Sequence, residues 1–208
     1  LTMVPMLHCN GWCYPWTVPM LNGRTICLRN IDIKKIFQLI DKYNITHFGG
    51  APIVLNMITG ATENERKKLK HKVFVLTAGA PPPSIIFKKM KELGFEVMHV
   101  YGLTETYGHV TQCAWNDSWD ELDEEKQNEI KARQGVRYPN TEGIAVMDPK
   151  TMNEVPRDGK TIGEIMIKGN VVMKGYFKDN EATRKAMNGG WFHTGDLAVM
   201  HSAGYVKI

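Results

Sequence analysis

Cysteine is scarce in this chain, and its scarcity excludes one class of protein. The 208 residues include four cysteines, Cys9, Cys13, Cys27 and Cys113. Four thiols in a chain of this length do not make a disulfide framework, so the sequence predicts reduced cysteines in a cytosol-like compartment. The run "HCNGWC", which starts at His8, has a His near two cysteines. A second ligand pair at zinc spacing does not follow it, which disfavours a structural zinc site.

Long apolar runs are also missing. The apolar N-terminal stretch is interrupted by His8, Asn10, Gly11, Pro15 and Pro19. It has no basic leader, so the pattern is typical of neither a signal peptide nor a membrane-spanning helix. We therefore expect no membrane span.

Charge of one sign is not in excess either. Lys and Arg number 26 against 22 Asp and Glu, which gives a formal net charge of +4. The sequence has no basic stripe with interleaved aromatics, so a nucleic-acid partner is not predicted. An anionic small ligand is compatible with this charge. The hydrophobic content of 43% is that of an ordinary globular protein with a sizeable core.

Helical and strand patterns alternate in the first half of the chain. The predicted helices and strands are, in order, helix 30–44, strand 45–50, helix 52–60, strand 72–80, helix 82–94 and strand 95–100. Asn30 or Asp32 can cap the first helix. Such alternation favours a mostly parallel sheet with flanking helices. Ligands bind at the carboxyl ends of such strands, where the Gly-bearing turns "TAGAPPP" and "YGLTE" follow.

The pattern changes in the last third of the chain. The charged segment "NDSWDELDEEKQNEIKARQG" predicts an exposed helix, and "EGIAVMD", "GEIMIKG", "DLAVM" and "YVKI" predict short strands. The expected fold class is therefore α/β, followed by a β-rich subdomain. The predicted domains are an α/β part over 1–115, a charged helical connector over 116–135 and a β-rich subdomain over 136–208.

The pentapeptide "YGLTE" has four residues that can contact a nucleotide. An exposed Tyr101 ring could stack on a base, and Gly102 would let a ligand approach the backbone. Thr104 could donate to a phosphate, and Glu105 could hold Mg²⁺ through oxygen. Taken alone, the pentapeptide fits a plain surface turn equally well.

The segment "FHTGDLAVM" places Asp196 in a Gly-Asp turn that enters a strand. Its carboxylate could accept from both hydroxyls of a ribose. An Asx turn is the alternative interpretation. Upstream, Gly163 and Glu164 of "GEIMIKG" are interpreted as structural.

The order of these motifs is more specific than any one of them. The segments "TAGAPPP", "YGLTE", "GEIMIKGNVVMKGYFKDNEAT" and "GWFHTGDLA" together resemble the adenylate-forming superfamily, which includes acyl-CoA synthetases, adenylation domains of peptide synthetases and firefly luciferase. The stretches "PMLHCNGWCYPW", "THFGGAPIVLNMI" and "CAWNDSW" are similar to one branch, the short- and medium-chain acyl-CoA ligases, including methylthiopropanoate-CoA ligases. The resemblance covers essentially the whole chain.

The resemblance implies a two-step reaction. The carboxylate of an acid would attack the α-phosphate of ATP to give an acyl-adenylate and release pyrophosphate, with Mg²⁺ as cofactor. The thiol of coenzyme A would then displace AMP to give the acyl-CoA. By motif match, Thr104 contacts phosphate and Glu105 is the metal ligand, so both are predicted catalytic residues. Tyr101 would pack on adenine beside Gly102, and Asp196 would hold the ribose.

Other residues are assigned to the substrate pocket by the same resemblance. Gly79, Ala80 and Pro81 would line the adenine and acyl side. His8 would border the acyl carboxylate as a third catalytic residue, and Trp12 would wall the acyl pocket.

Gly102 carries a further expectation about the acid. By the resemblance, acetate-specific relatives have a Trp at this position, so the absence of a side chain predicts a deeper pocket and a preference for acids from about propanoate to hexanoate, or for a thioether analogue. A Gly102→Trp change is then expected to shift the preference toward acetate.

The resemblance also implies that three functional parts of the family lie outside this stretch of sequence. The phosphate loop would precede Leu1, and the hinge and the lid Lys would follow Ile208, so this piece alone is expected to be inactive. The alternatives are a non-catalytic nucleotide-binding module and a peptide-synthetase adenylation domain. We expect a cytoplasmic protein, or a peroxisomal one in a eukaryote, and a homodimer stays open.

Overall fold

The chain folds into two compact units. The computed structural model describes residues 1–6, 8, 11, 13–80 and 82–208. The first unit comprises Leu1–His99 and Trp115–Ala132, and the second comprises Val100–Ala114 and Arg133–Ile208. Each unit is made of two separate stretches of the chain, so the units do not correspond to the predicted domains. The predicted domain bounds at residues 115 and 135 therefore stay a prediction.

The described helices of the first unit include three that were predicted. They are α1 Tyr14–Met20, α2 Ile33–Tyr43, α3 Pro52–Thr59, α4 Ser84–Glu92 and α5 Glu124–Lys131. Helices α2, α3 and α4 correspond to the predicted helices 30–44, 52–60 and 82–94, whereas α1 was not predicted. Helix α2 begins after Asp32, whose side chain accepts from the Lys35 N–H at 2.9 Å, so the predicted cap is confirmed. Pro52 opens α3, where its missing N–H costs nothing. Across the described residues, no helix is long and apolar enough to cross a membrane.

The parallel sheet of the first unit is short, and one of its faces is buried. Its strands are β1 His47–Gly49, β2 Val73–Thr77 and β3 Phe95–Leu103, of which the part up to His99 lies in this unit. Strands β1 and β3 both pair parallel with β2. The apolar stripe of α2 packs in the same core as the strands, with Phe37 edge-on to Phe95 at 5.9 Å between ring centroids. The predicted parallel sheet is confirmed.

The charged segment differs from its prediction. Instead of one exposed helix, it forms a 3₁₀ turn, Asp117–Glu121, and then α5. Ile130 is buried, and the Lys131 ammonium lies 3.1 Å from Glu96 and 5.0 Å from the Trp115 ring centroid. The sequence of the segment is mostly polar because most of its side chains face water. One side of α5 nevertheless packs against the rest of the first unit.

The second unit contains an antiparallel hairpin. The end of β3 pairs with β4 Gly108–Gln112, and β4 pairs with β5 Val136–Arg137. The strand was expected to end at Val100, but it continues through Leu103. The hydrogen bonds between β3 and β4 extend β3 beyond Val100. The local sequence does not indicate this pairing.

The predicted β-rich subdomain is a meander of four strands. They are β6 Gly143–Met147, β7 Ile162–Lys168, β8 Phe192–Met200 and β9 Val206–Lys207, in the order β6-β7-β8-β9. Every pair in this sheet is antiparallel. Helix α6, Asn180–Ala186, precedes β8. The prediction that the last third of the chain consists mainly of short strands is therefore confirmed.

Candidate functional site

A 3₁₀ turn, Thr104–Thr106, joins β3 to β4 and carries two of the predicted site residues. Thr106 is 2% exposed, and its hydroxyl accepts from the Leu103 N–H at 3.0 Å. The same hydroxyl lies 2.9 Å from the Gly108 carbonyl, to which it can donate. Thr106 thereby fixes the turn from inside, a role that the sequence reasoning missed. A hydroxyl in a tight turn was the available signal.

The two predicted phosphate-side residues lie on the outer face of this turn. Thr104 is exposed and Glu105 is half-buried. The Tyr176 hydroxyl donates to Glu105 Oε1 at 3.1 Å, and the Met173 N–H donates to the Glu105 carbonyl at 2.7 Å. Burial and this hydrogen bond raise the pKa of Tyr176. The segment before α6 therefore orients the Glu105 carboxylate, and Tyr176 is a second site residue that the sequence reasoning missed.

Tyr101 and Asp196 meet within the second unit. The Tyr101 hydroxyl donates to Asp196 Oδ2 at 2.6 Å. Burial, and then the hydrogen bond to this carboxylate, raise the pKa of Tyr101. The ring is 7% exposed and packs among the apolar side chains of the second unit. The expectation of an exposed ring is therefore wrong, whereas its contact with adenine stays a prediction.

Asp196 lies on a bulge of β8. Glu164 of β7 pairs with Leu197, and Met166 pairs with His193, so three residues of β8 lie opposite Ile165. These three residues are Thr194, Gly195 and Asp196. Gly195 has φ = +78°, a conformation that glycine adopts without strain. The bulge turns the Asp196 side chain toward Tyr101.

Gly102 is required by backbone packing. A Cβ at Gly102 would lie 1.8 Å from the Gly108 carbonyl oxygen and 2.7 Å from the His109 Cα. The missing side chain therefore makes room for β4. This packing by itself accounts for a glycine here, so a role of Gly102 in setting acid size stays a prediction, and Gly102→Trp cannot be a clean probe of specificity.

We expect Gly102→Ala to destabilise the protein severely, because the new methyl group meets backbone that cannot move without breaking the hairpin. The free energy of unfolding should fall by about 3 kcal/mol or more. Gly49→Ala is the matched control, since a Cβ there has its nearest neighbour at 3.5 Å. Denaturant unfolding of both variants checks this, and equal stabilities would contradict it.

The remaining predicted residues belong to the first unit. Gly79, in the turn after β2, has φ = +102° and open space around its Cβ direction, and Ala80 is exposed. His8 is exposed, and its backbone N–H donates to the Pro5 carbonyl at 2.9 Å. Pro81 and Trp12 lie outside the described residues.

The donor set around Glu105 fits one kind of metal site. Among the described residues, no group of three or more His, Cys, Asp or Glu side chains is gathered to hold a metal ion. A single carboxylate suits Mg²⁺ bound jointly with substrate phosphates, because this ion keeps several waters and rarely uses an all-protein cage.

Comparison with known families gives a match over most of the chain. The family described as AMP-binding enzyme matches residues 1–177. The chain is 51% identical over 210 residues to acetate/butyrate–CoA ligase AAE7, peroxisomal, from Arabidopsis thaliana. It is 47% identical over 209 residues to 2-methylpropanoate–CoA ligase CCL4 from Humulus lupulus. Each alignment covers 100% of this chain and 37% of the relative.

Solved structures share the fold. The N-terminal domain of FACL13 from Mycobacterium tuberculosis matches with a TM-score of 0.82 and 27% identity, over 99% of this chain and 49% of that one. O-succinylbenzoate coenzyme A synthetase from Bacillus subtilis, in complex with ATP and magnesium ion, matches with a TM-score of 0.77 and 19% identity, over 99% of this chain and 40% of that one. At that identity, the second likeness shows the fold alone.

Proposed function

Since this chain belongs to the AMP-binding enzyme family, we propose that its protein is an ATP-dependent acyl-CoA ligase. It would activate a short-chain carboxylic acid as the acyl-adenylate and pass the acyl group to coenzyme A. The relatives named above are CoA ligases, and the chain spans 37% of their length.

One observation carries the proposal. A single hairpin of the second unit has Glu105 on its turn and Tyr101 on its strand, and Tyr101 holds Asp196 by a hydrogen bond of 2.6 Å. A carboxylate suited to ribose, on β8, is thus hydrogen-bonded to the hairpin whose turn carries a carboxylate suited to a phosphate-bound cation. That pairing fits a nucleoside triphosphate better than it fits a plain turn.

The chemical task is to bring a carboxylate to a polyanion. Thr104 would donate its hydroxyl to a phosphate oxygen, and Asp196 would accept from the ribose hydroxyls and so fix the nucleotide. Glu105 would hold Mg²⁺, which supplies positive charge when bound. Donors placed where negative charge develops lower the barrier, because they need no reorganisation during the reaction.

The acid is assigned as a class. The names of the relatives include acetate, butyrate and 2-methylpropanoate. Short aliphatic acids, acetate among them, are therefore the proposed substrates, and the preference for longer acids expected from Gly102 is left to the assay. The peroxisomal name of one relative favours the peroxisome over the cytoplasm as the proposed compartment.

The test is a pyrophosphate-release assay of the complete gene product with ATP, Mg²⁺ and a panel of acids from acetate to hexanoate. Acid-dependent pyrophosphate release, with acyl-CoA detected by mass spectrometry only when coenzyme A is added, is the expected result. Nucleotide binding without release for any acid would instead favour a non-catalytic module. Release without acyl-CoA would favour an adenylation domain with another acceptor.

We expect Thr106→Val to lower kcat without unfolding the protein. The change keeps the shape but leaves the Leu103 N–H without its acceptor, so the turn that carries Thr104 and Glu105 relaxes. An unsatisfied buried group costs about 1–3 kcal/mol, so a fall in kcat of about 10- to 100-fold is expected. Thr106→Ser, which keeps the hydroxyl, is the control and should stay near wild type. A wild-type kcat for Thr106→Val would show that the turn holds its shape unaided.

A further inference from the structure

Glu164 of β7 is a buried carboxylate with both oxygens engaged. The residue is 9% exposed. Its Oε1 accepts from the Gly195 N–H at 2.8 Å, and its Oε2 lies 3.2 Å from His193 Nδ1. Both partners belong to the segment that leads directly into Asp196. An acidic group with this degree of burial and this set of partners needs an explanation.

The bulge explains why a carboxylate lies there. Because three residues of β8 lie opposite Ile165, the Gly195 N–H points away from the regular ladder of hydrogen bonds. The Glu164 side chain supplies its acceptor. A hydrogen bond from a backbone N–H to a carboxylate is stronger than one to a neutral acceptor. Glu164 therefore stabilises the bulge itself.

His193 connects the second carboxylate oxygen of Glu164 to the turn before β8. Its Nε2 lies 3.2 Å from the Asn188 carbonyl, in the turn before β8, and its Nδ1 faces Glu164. Both ring nitrogens thus face acceptor oxygens, and a ring with protons on both nitrogens satisfies both. Glu164 is linked by two routes to the backbone on the N-terminal side of Asp196.

We propose that Glu164 is a positioning residue that sets the place of the Asp196 carboxylate by holding the Gly195 N–H and the His193 ring. The inference rests on the proposed function in one respect, that Asp196 binds the ribose. Downstream of Gly195, the Asp196 N–H donates to Thr194 Oγ1 at 3.1 Å and its Oδ2 accepts from Tyr101. With the backbone fixed at Gly195 and the side chain fixed at Tyr101, the second carboxylate oxygen has a defined direction.

A positioning role makes a distinctive prediction about Glu164→Gln. The amide oxygen can accept from the Gly195 N–H, and the amide NH₂ can donate to His193 Nδ1. A neutral His193 ring can then keep its Nε2–H to the Asn188 carbonyl, so all three hydrogen bonds survive without the charge. Glu164→Met has similar length and removes the two bonds made by Glu164. A role that needs the negative charge would be lost in both variants, whereas a positioning role would be lost in Glu164→Met alone.

The experiment compares wild type, Glu164→Gln and Glu164→Met in the complete gene product. Equilibrium dialysis with AMP gives the Kd, and pyrophosphate release gives KM for ATP, KM for the acid and kcat. For Glu164→Met we expect the Kd for AMP and KM for ATP to rise about 10- to 100-fold, the value of one lost hydrogen bond to a charged group. Its KM for the acid should stay near wild type, and Glu164→Gln should restore nucleotide affinity to within a few-fold.

Each outcome decides the inference. A wild-type Kd for AMP in folded Glu164→Met overturns it, and so does a loss in Glu164→Gln equal to that in Glu164→Met. If Glu164→Met does not fold, Glu164→Asp is used. That variant keeps the charge but is too short to reach both partners, so unchanged AMP affinity in it also overturns the inference. Acid-dependent pyrophosphate release by wild type tests the proposed function separately, and wild type that binds no AMP would sink both.

Discussion

Glu105→Gln lowers kcat for adenylation by about 10²- to 10⁴-fold in the complete gene product, and this is the largest effect that we expect. The change keeps the size and the hydrogen-bonding reach of the side chain but removes the charge that would hold Mg²⁺. Metal-ion neutralisation of a phosphoryl transition state is worth several kcal/mol, and 1.36 kcal/mol corresponds to a factor of ten. KM for the acid should change little, because the lost interaction belongs to the transition state.

Tyr176→Phe is the matched control for this variant. It removes the hydroxyl that donates to Glu105 Oε1 at 3.1 Å but leaves the carboxylate in place. We expect a much smaller loss than for Glu105→Gln, because the carboxylate keeps its charge and loses only a hydrogen bond that orients it. A titration with Mg²⁺ separates the two variants, because Glu105→Gln should need more of the ion to reach its maximal rate. An unchanged Mg²⁺ dependence in Glu105→Gln would remove Glu105 from the metal site.

The parts of the fold that were readable from the sequence are those whose pattern is local. Helix α2 has apolar residues at helical spacing and a capping Asp32, and both features act within one turn of chain. The parallel strands were readable because buried strands are short apolar runs between helices. The prediction for the charged segment was wrong because its composition reflects the exposed side of α5, whereas the two buried residues of this helix, Asn128 and Ile130, show no distinct local pattern.

The hairpin was not readable for a different reason. The extension of β3 to Leu103 depends on hydrogen bonds to β4, which come from residues whose pairing is not visible in "YGLTETYG". The same pairing explains the structural roles of Gly102 and Tyr101. Gly102 is small because the Gly108 carbonyl leaves no room for a Cβ. Tyr101 is buried because its strand continues into the second unit, so its hydroxyl holds Asp196.

Glu164 shows the same limit at the candidate site. The sequence places a Glu at the start of a strand, and many such residues are exposed. Its burial follows from the bulge of β8, which lies about thirty residues away, as a tertiary contact with no local signal. The sequence motifs predicted which residue types occur at the candidate site. The positions of these side chains depend on hydrogen bonds between segments that are distant in the sequence.

Asp196→Ala should weaken nucleotide binding nearly as strongly as Glu105→Gln slows the reaction. A carboxylate that accepts from two ribose hydroxyls makes two charge-assisted hydrogen bonds, each worth about 1.5–3 kcal/mol. The Kd for AMP, measured by equilibrium dialysis of the complete gene product, is therefore expected to rise about 10²- to 10⁴-fold. The variant also leaves the buried Tyr101 hydroxyl without its acceptor, so a lower Tm is expected with it.

The two consequences of Asp196→Ala can be separated by changing the ligand instead of the protein. In wild type, 2′-deoxy-ATP lacks one of the two ribose donors and should have a KM about 10- to 100-fold above that of ATP. In Asp196→Ala this discrimination should vanish, because neither nucleotide finds the acceptor. Tyr101→Phe is the control. It disturbs the same buried pair, but it keeps the carboxylate and should therefore keep most of the preference for ATP. If Asp196→Ala still prefers ATP over 2′-deoxy-ATP by the wild-type factor, the ribose is recognised elsewhere.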